Sequence, residues 1–385
     1  MSNVFSEIIS FIKNIYKDKD IIPLHEPTFK GNEEKYVLDT IKSTFVSSVG
    51  EYVNLLEKKI SAFTGMKGAV ATVNGTQALY LALKISDVQP NDEVITQPLT
   101  FVATANAISY TGAFPIFLDV DKNTLGLSAT ELLNFIENDC EKTGGVLLNK
   151  KTKRKIKAVV PMHTFGHPCE IEKIAAICEK YDLSLIEDAA ESLGSYYNSK
   201  HTGSFGKIGI LSFNGNKTIT TGGGGMLVTN DLNLAAKAKH LSTTAKVAHP
   251  YEFIHDETGY NFRMPNINAA LGVAQMEYID EILENKRKIA MQYKEFFKNI
   301  KGVQFVDEPE NTKSNFWLNT ILFNDPDDKI NFLKTCIENK IMARSIWRPM
   351  HLLDMYKENY KNSLINTEFL YNSGVNLPST PVFTS

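Results

Sequence analysis

The sequence has few of the features that mark secreted, metal-binding or membrane proteins. It contains four cysteines in 385 residues, and no two form a Cys-x-x-Cys pair, so neither a zinc site nor a disulfide framework is indicated. No apolar run is long enough to span a membrane, and the first residues lack the basic start and cleavage site of a secretory signal. These absences predict a cytoplasmic protein with no metal centre and no membrane contact.

An excess of charge of either sign is also missing. The 41 basic and 44 acidic residues leave a net charge of −3, so a general nucleic-acid surface is not expected. Hydrophobic residues make up 43% and charged residues 22%, which is typical of globular proteins. The length allows one large domain and a smaller one.

Strand-like and helix-like segments alternate from residue 69 onwards. This order predicts an α/β fold with a large, mainly parallel sheet and helices on both faces. After residue 260, a long helical stretch at 266–297 and several short strands predict a small α+β domain. The predicted domains are an N-terminal helix and arm at 1–30, a large α/β domain at 31–260, and a small C-terminal α+β domain at 261–385.

Two surface segments accompany this core. The helix at residues 4–15 is apolar over a broad face, which fits a membrane-surface anchor or a helix packed on its own chain or on a second copy. Packing is favoured, because the polar face of the helix is not strongly basic. The basic segment at 144–155 is expected to be an exposed excursion.

A single lysine follows a predicted strand and precedes four consecutive glycines. Lys217 lies in the turn after the strand at 208–212, and the glycines Gly222-Gly-Gly-Gly225 lead into a second strand. A lysine in a tight site becomes nucleophilic when burial or a nearby cation lowers its pKa, which suits it to forming an imine. A solvated surface lysine beside a flexible turn is the alternative. A dinucleotide-binding loop is excluded, because the glycines open a strand rather than a helix.

Polar residues at other strand ends could hold a phosphate. In open α/β sheets, ligands bind at the carboxyl ends of the strands. Gly75 and Thr76 stand where a predicted strand gives way to a helix, and the free N–H groups there can bind an anion. Simple capping of the helix by Asn74 or Thr76 is the alternative. Ser212 could donate a hydrogen bond to the same phosphate, or be an ordinary strand-end hydroxyl.

Three further residues would suit a planar, cationic ring. Asp188 ends a predicted buried strand, where a carboxylate needs a partner such as a protonated ring nitrogen. Phe101 could stack on the ring or belong to the core. His163 could act as an acid, a base or an orienting group, or be a satisfied half-buried histidine. Together with Lys217, these residues predict a pyridoxal phosphate site.

Seven motifs in this chain resemble those of the DegT/DnrJ/EryC1/StrS sugar aminotransferases, a family of fold-type I pyridoxal-phosphate enzymes. The resemblance runs from about Ile22 to the end of the chain. The matching motifs are Asn74-Gly-Thr-Gln-Ala-Leu79, Thr100-Phe-Val-Ala-Thr104, Glu187-Asp-Ala-Ala190, Ser212-Phe-Asn-Gly-Asn-Lys217, Thr221-Gly222 with Gly224-Gly225, Gly259-Tyr-Asn-Phe-Arg263 and Asn376-Leu-Pro-Ser379.

The resemblance implies a role for each residue of the cofactor site. Lys217 would hold the cofactor through an imine and move the proton between carbon centres. Asp188 would keep the pyridine nitrogen protonated, and Phe101 would stack on the ring. The phosphate would be bound by Gly75, Thr76 and Ser212, and by Asn261 from the partner subunit of a homodimer with shared active sites.

Two positions depart from the family pattern. Many members have glutamine at the position of Glu191, which lies near the cofactor, so the polar contacts of this residue differ here. Many have glutamate at the position of Gly223, which implies a differently shaped loop. Lys217 follows the pattern of the aminotransferases, whereas relatives that remove sugar hydroxyls replace this lysine with histidine.

The resemblance also implies a substrate. The glycine run, the N-terminal helix and the loop at 45–50 are most like the subgroup from legionaminic acid and bacillosamine-type pathways. Its members transfer the amino group of L-glutamate, through the pyridoxamine (PMP) form of the cofactor, to C4 of a nucleotide-linked 4-keto-6-deoxy-2-acetamido sugar. UDP is the expected nucleotide, and GDP and dTDP stay open. Substrate contacts are predicted for Ser48, His163, Arg344, Trp347 and His351.

Two other functions remain open from the sequence. One is a pyridoxal-phosphate-dependent dehydratase or epimerase that acts on a similar sugar. The other is a non-catalytic regulator that binds a nucleotide sugar. The intact Lys217 weighs against the first, and Lys217 together with Asp188 weighs against the second.

Overall fold

The computed structural model describes residues 2–17 and 19–383. The helices of this part are α1 Ser2–Ile15, α2 Glu33–Ser43, α3 Glu51–Thr64, α4 Gly75–Ile85, α5 Val102–Tyr110, α6 Ala129–Asp139, α7 Ile171–Lys180, α8 Leu232–Ser242, α9 Asn266–Gln275, α10 Ile279–Phe297, α11 Pro326–Glu338 and α12 Ile365–Ser373. Short 3-10 helices lie at Thr164–Gly166 and Met350–Leu352.

The strands are β1 Gly68–Thr72, β2 Glu93–Thr96, β3 Phe114–Phe117, β4 Cys140–Thr143, β5 Val146–Asn149, β6 Ile156–Val160, β7 Ser184–Asp188, β8 Tyr196–Tyr197, β9 Lys200–His201, β10 Ile208–Ser212, β11 Gly225–Thr229, β12 Lys246–Val247, β13 Ile254–His255, β14 Val303–Phe305, β15 Thr312–Lys313, β16 Asn319–Phe323, β17 Arg344–Ser345 and β18 Gly374–Leu377.

Seven strands form the large sheet, in the order β1-β11-β10-β7-β6-β2-β3. Only β11 pairs antiparallel with its neighbours, so the other six strands run in one direction. Successive residues of β10 enter different cores: Ile210 packs with α4, α5 and α8, whereas Leu211 packs with α3 and α9. Since alternate side chains of a strand point to opposite faces, helices cover both faces of the sheet. The predicted α/β fold with a mainly parallel sheet is confirmed.

A smaller antiparallel sheet, in the order β14-β16-β18-β17, forms the C-terminal part. Helix α1 packs on it, because Ile8 and Ile12 are fully buried in the same core as Phe323, Phe332 and Val375. The apolar face of α1 is therefore covered by its own chain. No helix within residues 2–17 and 19–383 combines the length and the apolar character needed to cross a membrane.

The predicted long helix at 266–297 is wrong in one respect, because it is two helices. Helix α9 ends at Gln275 and α10 begins at Ile279. The amide of Gln275 and the hydroxyl of Tyr278 both donate to the carbonyl of Thr28, at 2.9 Å each. These contacts with the N-terminal arm hold the chain between the helices, so tertiary packing overrides the local helical pattern.

The segment at 144–155 also differs from the prediction. It contains strand β5, which pairs with β4 in a hairpin whose turn places Gly144 and Gly145 at φ of 58° and 83°. Leu147 and Asn149 of β5 are buried. The segment is therefore a folded hairpin rather than an exposed excursion.

Candidate active site

The residues that follow several strands of the large sheet line one cavity of about 420 Å³. This volume lies within the range of small-molecule sites. The cavity is at the carboxyl edge of the parallel strands, where the sequence places it. It brings together eight of the predicted residues: Gly75, Thr76, Phe101, Asp188, Glu191, Ser212, Lys217 and Trp347.

The side chain of Lys217 is held inside this cavity. Its Nζ donates to Glu191 Oε1 across 3.1 Å and lies 4.0 Å from the centre of the Trp317 ring. The backbone N–H of Lys217 donates to Asn214 O at 2.9 Å, which closes the turn after β10. The lysine side chain is 12% exposed, so its amine faces the cavity rather than open solvent.

Asp188 ends β7 and is 2% exposed. Thr104 Oγ1 donates to one carboxylate oxygen at 2.7 Å, and the N–H of Ala190 donates to the other at 3.2 Å. Burial raises the pKa of Asp188, and the hydrogen bond from Thr104 acts in the opposite direction. Within the described part of the chain no ion pair neutralises Asp188. A protonated ring nitrogen would supply the missing positive charge.

The first turn of α4 forms the third side of the cavity. Asn74 caps the helix by accepting the N–H of Gln77 at 2.8 Å, so the N–H groups of Gly75 and Thr76 have no partner within the helix. A Cβ at position 75 would lie only 3.2 Å from Ser212 Cβ. The glycine therefore keeps a narrow space open between the helix N-terminus and the Ser212 hydroxyl, as an anion site requires.

Two glycines of the run after Lys217, Gly224 and Gly225, have no room for a side chain, and Gly225 is the one that lies against the start of α4. A Cβ at Gly225 would lie 2.4 Å from the carbonyl carbon of Asn74, so only glycine lets the two backbones pass. At Gly223 a Cβ would meet nothing closer than Val73 O at 3.9 Å. The backbone of the run therefore passes close to the backbone of Asn74 at Gly225, whereas position 223 has room for a side chain.

The cavity fits pyridoxal phosphate. A buried carboxylate awaits a cation, an amine faces the same space, and a helix N-terminus offers free N–H groups. The three groups lie on three different strand ends of one sheet, as a rigid cofactor with a ring nitrogen, an aldehyde and a phosphate requires.

Four of the residues predicted to contact substrate do not line the cavity. His163 is fully buried, its Nε2 lies 3.1 Å from Glu187 Oε2, and its Nδ1 accepts the N–H of Cys169. Within this chain His163 supports the end of β7, and the predicted substrate contact of His163 stays a prediction. Ser48, Arg344 and His351 also lie outside the cavity lining.

Each of these three has a different setting. Ser48 lies in a partly exposed loop. The carbonyl of its neighbour Ser47 accepts the N–H of Asn266 at the start of α9. Arg344 is exposed on β17. His351 is 7% exposed, and burial lowers its pKa. Trp347, in contrast, reaches the cavity and lies 6.4 Å from Phe101, ring centre to ring centre.

The structure adds residues that sequence reasoning missed. Trp317 faces the amine of Lys217, and its Nε1 donates to Asn216 O at 2.7 Å. Asn315 donates to the carbonyls of Glu191 and Leu193, at 2.9 Å each. Thr104 was visible only as the last residue of a matching motif. No local pattern marks Trp317 or Asn315, because both reach the site from the C-terminal part of the chain.

The cavity places the protein among the pyridoxal-phosphate-dependent enzymes of fold type I. The chain belongs to the DegT/DnrJ/EryC1/StrS aminotransferase family, which it matches over residues 27–385. The predicted family, fold type and cofactor are thereby confirmed.

Known relatives extend over almost the whole chain. The chain is 38% identical over 361 residues to the GDP-perosamine synthase of Escherichia coli O157:H7, covering 94% of this chain and 93% of the relative. It is 35% identical over 367 residues to the GDP-perosamine synthase of Vibrio cholerae, covering 94% of each. The solved structure of Helicobacter pylori PseC, an aminotransferase involved in the biosynthesis of pseudoaminic acid, matches with a TM-score of 0.84 at 26% identity, covering 93% of both chains. The protein is a sugar aminotransferase.

Proposed function

We propose that the protein transfers the amino group of L-glutamate to C4 of a GDP-linked 4-keto-6-deoxy-2-acetamido sugar. The observation that carries the reaction type is the amine of Lys217 in one cavity with the buried carboxylate of Asp188. The names of the Escherichia coli and Vibrio cholerae relatives favour GDP over the UDP that the sequence resemblance implies. The acetamido group is carried over from that resemblance.

Each residue of the site has a separate role in the proposed reaction. When bound, pyridoxal phosphate supplies an electron sink and carries the amino group from donor to acceptor. Asp188 would hold a proton on the ring nitrogen, and Thr104 fixes the direction of its carboxylate. Lys217 Nζ would move the proton at the reacting carbon. The N-terminus of α4 and Ser212 would bind the phosphate and so orient the cofactor.

The mouth of the cavity supports a sugar ring as acceptor. Phe101 is 51% exposed, and Trp347 is half-buried beside it. The Trp347 ring is held from behind by Phe165, with ring centres 4.6 Å apart. The exposed ring of Phe101 and the half-buried ring of Trp347 offer apolar area to the face of a sugar.

A second copy of the chain is part of this proposal. Tyr251 and Phe253, beside β13, are 82% and 84% exposed, and Phe45 and Val49 of the loop at 45–50 are 57% and 60% exposed. Exposed apolar side chains of this size are typical of surfaces that a partner covers. Asn261 is exposed as well, so its amide is free to reach the phosphate of a partner's cofactor in a homodimer.

The test is an absorbance spectrum of the purified protein with added pyridoxal phosphate, before and after L-glutamate. We expect a visible band that bleaches with L-glutamate and persists with D-glutamate. The bleached enzyme is then divided among the GDP- and UDP-linked forms of the 4-keto sugar, each with and without the 2-acetamido group. Return of the band with the GDP-linked acetamido sugar supports the proposal. If the band returns only with another of the four sugars, that sugar is the substrate. If no visible band forms at all, the proposed function is wrong.

Dehydration or epimerisation of the same sugar is the alternative chemistry. Mass spectrometry of the sugar product distinguishes amination from both, because only amination introduces nitrogen, whereas dehydration removes water and epimerisation leaves the mass unchanged. A Lys217→Ala variant tests the non-catalytic alternative, since a regulator that only binds the sugar should keep its affinity without the amine.

A further inference from the structure

Glu191 forms a fixed, buried contact with the amine that carries the reaction. One oxygen of its carboxylate accepts from Lys217 Nζ at 3.1 Å, and the other accepts the N–H of Phe165 at 3.0 Å. Asn315 holds the backbone carbonyl of the same residue at 2.9 Å. The side chain of Glu191 is 1% exposed. The carboxylate therefore cannot turn away from Lys217 without losing its other partner.

A carboxylate at this position can do what a glutamine cannot. Both side chains accept a hydrogen bond from the lysine, but only the carboxylate can take its proton. Burial penalises the charged form of each group, so transfer of the proton from the amine to the carboxylate removes two buried charges at once. The contact distance of 3.1 Å is within the reach of direct proton transfer.

The surroundings of Glu191 both raise and lower the pKa of its carboxyl. The pKa of the Glu191 carboxyl is raised to about 7: burial is the largest cause and nearby Asp188 adds to it, whereas Lys217 and the amide of Phe165 act in the opposite direction. His25 of the N-terminal arm lies near Lys217, but burial lowers its pKa well below the ordinary value, so this imidazole stays uncharged. Among these neighbours of Lys217, Glu191 is thus the proton acceptor with a pKa near neutral pH.

We propose that Glu191 is the proton acceptor of Lys217 in the free enzyme. The ammonium of Lys217 gives one proton to the Glu191 carboxylate, which becomes a neutral carboxyl, and the lone pair of the Lys217 amine is left free to attach the cofactor. One N–H bond breaks and one O–H bond forms, and no other reactant is needed. The inference rests on the proposed function, because it concerns how the same lysine is made ready.

The experiment measures how fast the full-length, cofactor-free chain captures pyridoxal phosphate, followed by the visible band of the lysine-bound cofactor. Rates are compared between about pH 5 and about pH 9 for the unaltered chain and for Glu191→Gln. We expect the unaltered rate to rise through about pH 7, as the Glu191 carboxyl loses its own proton and can accept another. The Glu191→Gln rate should lack this rise and be roughly 100-fold lower at neutral pH, the lower end of what a positioned proton acceptor contributes.

The matched control is Glu93→Gln. Glu93 is also buried, but it begins β2 at the opposite end of the strand from the cavity and accepts from Asn149 at 2.9 Å. Its capture profile should equal that of the unaltered chain. A Glu191→Asp variant adds a second comparison, because it keeps an acid of lower ordinary pKa, and its rise should move to lower pH.

The outcomes separate the inference from the function it rests on. A Glu191→Gln profile that rises through neutral pH like the unaltered one overturns the inference while leaving the aminotransferase intact. If Glu191→Gln does not fold, a Glu191→Asp rise that stays in place overturns it equally. A chain that develops no visible band at any pH overturns both.

Discussion

The hydroxyl of Thr104 and the carboxylate of Asp188 are joined by a hydrogen bond of 2.7 Å in the wall of the cavity. Thr104 lies on α5, which follows β2, whereas Asp188 ends β7, and β6 separates these two strands in the sheet. Thr100 extends the contact, since its hydroxyl lies 2.9 Å from that of Thr104. One helix thus reaches across a strand to fix the direction of the carboxylate that would meet the ring nitrogen.

Removing this hydroxyl should weaken cofactor binding. Thr104→Val keeps the shape of the side chain but leaves the buried carboxylate of Asp188 without its strongest donor. A hydrogen bond to a charged group contributes about 1.5–3 kcal/mol, which corresponds to roughly a 10- to 100-fold loss of affinity. The dissociation constant of pyridoxal phosphate measures the effect. Thr111→Val is the control, because its hydroxyl donates to Ile108 O at the other end of α5. Equal losses in both variants would contradict this role of Thr104.

Lys217→Ala should abolish the visible band and the transfer reaction together. Removal of a covalent nucleophile lowers turnover by at least about 10³-fold. Lys207→Ala, at an exposed lysine just before β10, should leave both unchanged. Retention of the band in Lys217→Ala would place the covalent link on another residue. The spectrum and the formation of 2-oxoglutarate from L-glutamate are the two measurements.

Two alanine substitutions in the glycine run should have opposite results. Gly225→Ala places a Cβ 2.4 Å from the backbone of Asn74, so it should displace the start of α4 and lower both the melting temperature and the affinity for the cofactor. Gly223→Ala meets no atom closer than 3.9 Å and should be neutral in both measurements. If the two variants behave alike, the run is a flexible turn and the close crossing at Gly225 is unimportant.

The stability of the cofactor-free chain should depend on Glu191 and on pH. Burial raises the pKa of this carboxyl from 4.5 to about 7, so its contribution is complete below its ordinary pKa and is lost as the pH rises through 7. The shift corresponds to roughly 3 kcal/mol between about pH 4 and about pH 8. Glu191→Gln does not titrate, so its free energy of unfolding should fall less over this interval. Exposed Glu34→Gln should follow the unaltered chain, and unfolding in urea at several pH values provides the comparison.

The sequence predicts the parts of the site that local patterns encode. Lys217, Asp188 and Gly75 each stand directly after a strand, and parallel strands bring their carboxyl ends to one edge, so these residues can be placed without coordinates. His163 also follows a strand, but its partner Glu187 is 24 residues away and turns it into the core. Trp317 reaches Lys217 from 100 residues further along the chain. Such contacts depend on how domains pack, and no short pattern in the sequence records that.

The position of α1 has a consequence for the synthesis of the protein. Ile8 and Ile12 share their core with Val375 and Leu377 of β18, which lie far along the chain. At about 5–20 residues per second, the ribosome needs on the order of 20–70 s to pass from the helix to those strand residues. That part of the apolar face of α1 therefore stays uncovered while the intervening residues are translated. Helix α1 completes its native packing only after β18 has been made.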